Sequence, residues 1–133
     1  MIKNKIMITG GDGRFSKILK KNNKKLNLFF FSKKELNILD LESIEKKVKK
    51  VKPTHLIHCA GLSRPMKIHE KNISKSIDLN IIGTCNVTKI CKKYNIKLIY
   101  FSTGYVYPGL KGNYSESDPV KPFNNYGLSK LGG

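Results

Sequence analysis

The order of apolar segments predicts an α/β protein built on an open, doubly wound parallel sheet, one domain over residues 1–133. Three observations carry that reading. Strand-length apolar runs alternate with segments of helical periodicity, a pattern that calls for right-handed crossovers and a sheet covered on both faces. A glycine-rich turn, Gly10-Gly11-Asp12-Gly13, follows the first run directly. The other notable motifs, Cys59–Gly61 and Ser102–Thr103, fall at the carboxyl ends of later runs, where such sheets bind ligands.

Lys5–Thr9 is a short buried strand. Phe15, Ile18 and Leu19 recur at helical spacing, predicting an amphipathic helix over about residues 14–22. Leu26–Phe31 is a second strand by length and aromatic content, and Leu36-Asn37-Ile38 is read as a brief third. Asp40 stands as an N-cap before a helix with Leu41, Ile44, Val48 and Val51 on one face, and Pro53 ends it. Thr54–Cys59 forms the next strand, and Ala60-Gly61 its turn. From about Asn72 to Tyr94 the pattern is helical again, with Ile73, Ile77, Ile81 and Cys85 on one stripe. Lys97–Ser102 is a further strand. Residues 104–123, rich in Gly, Pro, Ser and Tyr, form an ordered surface loop, and a last helix begins near Asn124 or Asn125.

Composition removes several classes. At 39% hydrophobic residues the chain is ordinary for a globular protein. No stretch approaches the roughly 18 apolar residues of a membrane span, so no membrane partner is expected. Met1–Lys5 leads straight into the first strand without the apolar core or cleavage site of a leader. Cys59, Cys85 and Cys91 lack C-x-x-C spacing. Their odd number, each in an apolar segment, fits buried thiols in a reducing compartment better than disulfides or a metal site, and the cytoplasm is the expected location. The formal charge of +17 raises a basic nucleic-acid-binding protein as an alternative. Against it, Arg14 and Arg64 are the only arginines among 26 basic residues, whereas base and phosphate readers favour Arg. The lysines are also spread from end to end, so no nucleic-acid partner is expected.

In Thr9-Gly10-Gly11-Asp12-Gly13-Arg14-Phe15-Ser16 the glycines permit positive φ and let the backbone approach a pyrophosphate, whose charge a helix N-terminus stabilises. A glycine turn is also an ordinary way to leave a strand; its position opening a βαβ unit is what points to a dinucleotide. Ser16 stands where a third Gly usually permits close packing. The second strand ends Phe31-Ser32-Lys33-Lys34, with no carboxylate before Glu35 to take ribose hydroxyls. A hydroxyl followed by lysines, with Arg14 near, suits a 2′-phosphate, so NADP is expected in preference to NAD. Tyr126 and Lys130, at i and i+4, share one helix face, where an ammonium favours phenolate and so suits the tyrosine to exchange protons. Any helix can carry such a pair by chance; its weight here comes from order, with the glycine loop, Asn80 and then Ser102-Thr103 preceding it.

These segments, together with Leu56–Gly61, Asn80–Thr84, Tyr100–Tyr107, Glu116–Pro122 and Asn125–Lys130, resemble the extended short-chain dehydrogenase/reductase superfamily. The likeness is to its nucleotide-sugar branch, the NAD-dependent epimerase/dehydratases and dTDP-4-dehydrorhamnose reductase, and it covers essentially the whole chain. The resemblance implies a Rossmann-like fold and an NAD(P)-dependent reductase, epimerase or dehydratase of nucleotide-sugar metabolism. It implies that Thr103 hydrogen-bonds the reacting oxygen, that Tyr126 is the general acid/base, and that Lys130 contacts the nicotinamide ribose and tunes Tyr126. Asn80 corresponds to the family's helix asparagine and is counted with Thr103, Tyr126 and Lys130 among the implied catalytic residues. The implied cofactor contacts are Gly10, Gly11, Asp12, Gly13, Arg14, Phe15, Ser32, Lys33, Asn37, Ile38, Cys59, Ala60, Gly61 and Ser102, with Tyr126 and Lys130; Asn37-Ile38 match the adenine segment, where Asp is commoner than Asn. No metal site is implied. The Ser-Thr-x-Tyr-Val-Tyr form resembles the reductase, but Gly104 replaces a frequent Asp, which leaves reductase, epimerase and dehydratase open.

Family members continue beyond this helix into a substrate-binding region, whereas this chain stops at Leu131-Gly132-Gly133. The expectation is therefore a C-terminally truncated cofactor-binding domain without a separate substrate domain, as a fragment of an enzyme acting on a nucleotide-linked sugar. The alternative is a non-catalytic dinucleotide-binding module, or one whose substrate half comes from a second polypeptide. A homodimer is left open for the complete enzyme.

Overall fold

Four strands, β1 (Lys5–Thr9), β2 (Asn27–Phe31), β3 (His55–His58) and β4 (Lys97–Tyr100), pair in the order β2-β1-β3-β4, all parallel. The structure, a computed structural model, describes residues 4–133; the expected lead-in over Met1–Lys3 lies outside them. Met7, at the centre of β1, stands beside Phe29 on one side and Leu56 on the other. From β1 the chain steps outward to β2, then returns past β1 to β3. That reversal opens a crevice at the carboxyl ends of β1 and β3.

Helix α1 (Arg14–Asn22) joins β1 to β2, and α2 (Leu41–Val51) joins β2 to β3. Asp40 caps α2 as expected, its carboxylate accepting from the Glu42 and Ser43 N–H groups at 2.9 and 3.2 Å. The β3–β4 crossover comprises short helices α3 (Lys67–Lys71) and α4 (Ile73–Ser76), a π-helical turn (Ile77–Ile82) and α5 (Gly83–Lys93). Helix α6 (Asn125–Gly132) is capped by Asn124, which accepts from Gly127 N–H at 2.7 Å. The core lies between the sheet and the α2/α5 layer, where Met7 and Leu56 meet Ile44, Val48, Val87, Ile90 and Cys91. No helix among the described residues is long and apolar enough to cross a membrane.

Four sequence expectations are corrected. Leu36–Ile38 is not a strand. Leu36 and Ile38 alternate because both are buried in the core, while Glu35 and Asn37 fold the segment into turns through Ser32 and Leu39. In α1, Phe15 and Ile18 are exposed and the buried residue is Ser16. In α2, Leu41 is exposed while Ile44, Val48 and Val51 face inward. In the long crossover, Ile73, Ile77 and Cys85 are exposed and Ile81 is half-buried; the inward stripe is Ser76, Asn80, Thr84, Val87 and Cys91. Hydrophobic periodicity cannot reveal a buried stripe whose first half is polar, and the π turn shifts the helical phase within it.

Candidate functional site

The loop leaving β1 is shaped for close backbone approach. Gly10 has φ +70°, and a Cβ there would lie 2.8 Å from Ala60 N; one on Gly11 would lie 2.9 Å from the Phe31 carbonyl carbon. Gly11 N–H donates to Phe31 C=O at 2.7 Å and Gly13 N–H to Gly10 C=O at 2.9 Å, which fixes the turn beside β2. Unlike α2 and α6, α1 begins with no side-chain cap. Its first N–H groups, at Arg14, Phe15 and Ser16, have no backbone partner among the described residues and carry the positive end of the helix dipole. Ser16 is fully buried with no hydrogen-bond partner for its hydroxyl, so it takes the close-packing position as a small side chain.

Two clefts meet at Cys59–Gly61. The first, about 230 Å³, brings together Gly10, Asp12, Gly13, Lys33, Asn37, Ile38 and the Cys59–Gly61 turn. The second, about 260 Å³, is lined by Phe15, the same turn, Asn80, Ser102, Tyr126 and Lys130, with His58 at its wall. Together they form one trough along the carboxyl edge of the sheet. Uncapped helix dipole, glycine cradle and a lysine at the far end fit an elongated, anionic dinucleotide.

Under the second cleft runs a chain of hydrogen bonds whose direction can be assigned. Thr84 Oγ1 donates to Asn80 C=O at 2.8 Å, so at 3.2 Å it must accept from His58 Nε2–H. The Nδ1 atom of neutral His58 then accepts from Thr9 Oγ1 at 2.7 Å, and Thr9 Oγ1 accepts Ala60 N–H at 3.1 Å. Burial, and secondarily the charge of Lys130, lowers the His58 pKa to about 4, which keeps the ring neutral. Asn80 holds the cleft from the other side. Its Oδ1 accepts Leu62 N–H at 2.7 Å, and its Nδ2 donates to Leu62 C=O at 2.8 Å and Ser129 Oγ at 2.9 Å. The amide is thus committed to joining the β3 turn to α6. Burial lowers Lys130 to about 8 and raises the Cys59 thiol to about 11.

Not every expected residue enters the trough. Thr103 lines a separate shallow pocket with Tyr105 and Phe123, its hydroxyl accepting Tyr105 N–H at 3.3 Å. The Ser32 hydroxyl donates to the Glu35 carboxylate at 2.7 Å, which places a negative charge next to Lys33. Arg14 and Gly11 lie outside both cleft linings, Arg14 being exposed. Sequence reasoning quoted the segments that hold Thr9, His58, Thr84 and Tyr100 but gave these four no role, and it passed over Glu70. Glu70 accepts from Asn125 N–H and Nδ2 at 3.2 and 2.6 Å and so pins the start of α6. It also missed His69, fully buried, whose ring packs 4.9 Å from that of Tyr126 and whose Nδ1 bonds Ser76 Oγ at 2.7 Å. Only local pattern was available to find them, and each acts across a large sequence separation.

Comparison with known proteins gives a consistent picture. Residues 4–133 match the family described as RmlD substrate binding domain. The chain is 28% identical over 130 residues to a dTDP-4-keto-6-deoxy-D-glucose reductase of Streptomyces niveus, covering 96% of this chain and 45% of that protein. It is 34% identical over 98 residues to methionine adenosyltransferase 2 subunit beta of Xenopus laevis, covering 74% of this chain and 29% of that one. The crystal structure of dTDP-4-dehydrorhamnose reductase from Bacillus anthracis in complex with NADP superposes with a TM-score of 0.93 at 30% identity, over 99% of this chain and 48% of that one. The chain spans less than half the length of each of these relatives.

Proposed function

The chain belongs to the RmlD substrate binding domain family, and from that membership we propose that it is the cofactor-holding part of an NADP(H)-preferring reductase acting on a nucleotide-linked 4-keto sugar. The observation that carries the reading is the trough itself. An uncapped α1 N-terminus and the Gly10–Gly13 cradle open one end, and Tyr126 and Lys130 stand at the other. We assign the domain to residues 1–133 and the location to the cytoplasm.

When bound, the nicotinamide supplies or takes up a hydride at its C4 carbon. The chain's own residues do the rest. The free N–H groups of α1 hold the pyrophosphate, and Asn37 and Ile38 border the adenine end. Lys33 meets a 2′-phosphate, with the Glu35–Ser32 pair limiting how strongly. Lys130 hydrogen-bonds the nicotinamide ribose. Tyr126 passes a proton to the sugar oxygen as the carbonyl becomes a hydroxyl; Thr103, in the neighbouring pocket rather than the trough, is assigned to that oxygen by the resemblance alone. Asn80 acts by fixing the β3 turn against α6, not by touching substrate.

Calorimetric titration with NADPH and NADH tests the cofactor assignment. Tighter NADPH binding, reduced toward the NADH value by Lys33→Ala, is expected; equal or tighter NADH binding would overturn the preference. A second reading, a dinucleotide-binding subunit without turnover, is favoured by one observation: the Xenopus laevis relative is named as a subunit of a methionine adenosyltransferase. Keto-sugar-dependent oxidation of NADPH by a protein extended past Gly133 by its native continuation separates the two.

A further inference from the structure

We propose that Tyr100 is a positioning residue for Lys130, holding it at both ends: its phenol binds the main-chain carbonyl and its ring face carries the ammonium. The inference rests on the reading of Lys130 as a cofactor contact. Tyr100 O–H donates to Lys130 C=O at 3.1 Å. Lys130 Nζ sits 3.9 Å from the Tyr100 ring centroid, within cation–π range. The ring is itself fixed, stacked on His58 at 5.9 Å and 24°, and His58 is locked between Thr9 and Thr84.

The surroundings make this contact decisive. Lys130 is faced by His58 and Cys59 from β3 and its turn, by Tyr100 from β4 and by Tyr126 from its own helix. Among the described residues lining that cleft there is no carboxylate. His58 is neutral and the Cys59 thiol is held protonated by burial, so the negative face of the ring is the group offered to the ammonium. Burial has already brought Lys130 down to about 8. The ring face therefore favours the charged form that burial disfavours.

The test is NMR of the lysine ε-methylene in the 133-residue chain, titrated with base and without cofactor. In the wild type the Lys130 signal is expected upfield, shifted by the ring. Tyr100→Phe keeps the ring and should keep the titration midpoint, whereas Tyr100→Leu keeps the site dry without a π face and should lower it by about one unit. In parallel, NADPH affinity at pH 8 should fall in Tyr100→Leu and hold in Tyr100→Phe. An unshifted wild-type signal, or equal midpoints in all three proteins, overturns the proposal, and the wild-type signal does so without needing any variant to fold. Absence of NADPH binding by the wild type alongside the expected midpoints would instead contradict the cofactor reading and leave the hold of Tyr100 on Lys130 standing.

Discussion

His58 is the residue on which pH acts most directly. Its folded pKa of about 4 lies below the ordinary 6.5, so the unfolded chain takes up a proton first as pH falls. The stability contributed by the neutral ring is fully present above about 6.5, erodes through the interval down to 4, and is lost below it. By linkage that interval is worth roughly 3 kcal/mol. Urea unfolding at pH 7, 5.5 and 4.5 should therefore show a steep loss in the wild type and a shallower one in His58→Asn; parallel slopes would refute the buried neutral ring. Tyr126 makes a different demand. In a completed protein, extended past Gly133 by its native continuation and assayed with a nucleotide-linked keto sugar, Tyr126→Phe should cut kcat by roughly 10²–10⁴-fold while sparing NADPH affinity, because the lost oxygen acts in proton transfer and the ring remains. Unchanged kcat would remove Tyr126 from the chemistry.

Among elements, α6 matters most, since it presents Tyr126 and Lys130 together. It is held by Asn124 at its cap, by Asn80 through Ser129, by Tyr100 at Lys130, and by Glu70 at Asn125. Glu70→Ala should raise amide exchange across residues 125–130 with a global stability loss of only about 1 kcal/mol, since the bond is exposed. Unaltered exchange there would show that the other three ties suffice. The same helix marks what could be read from sequence. The Tyr126/Lys130 spacing, the Asp40 cap, the four paired strands and the glycine loop all follow from local rules, and all stand where expected. The inward face of the long crossover does not, because Asn80 and Thr84 are buried for their hydrogen bonds to residues far along the chain, and Ser76 for its bond to the buried His69. Leu36 and Ile38 misled for a related reason: alternation reports burial, and only a neighbouring strand turns burial into pairing.

Taken whole, the molecule is covered unequally. The α2/α5 face is closed by a continuous core. On α1, Phe15 and Ile18 stay exposed, and Phe15 packs 4.9 Å from Phe101, itself exposed just beyond β4 with Ile99 two residues before it. Among the described residues β4 is one edge of the sheet and β2 the other. The formal charge of +17 is spread over lysines along the chain, several of them lying over aromatic rings. Neither feature interrupts the trough, which lies along the carboxyl ends of the strands. On the proposed reading this trough holds a nicotinamide dinucleotide lengthwise. Amide NMR spectra of the 133-residue chain titrated with NADPH measure it most directly. Saturable shifts concentrated at Gly10–Ser16, Lys33–Ile38, Cys59–Gly61 and Tyr126–Lys130 are the expected result; no saturation, or shifts confined to other surfaces, would contradict it.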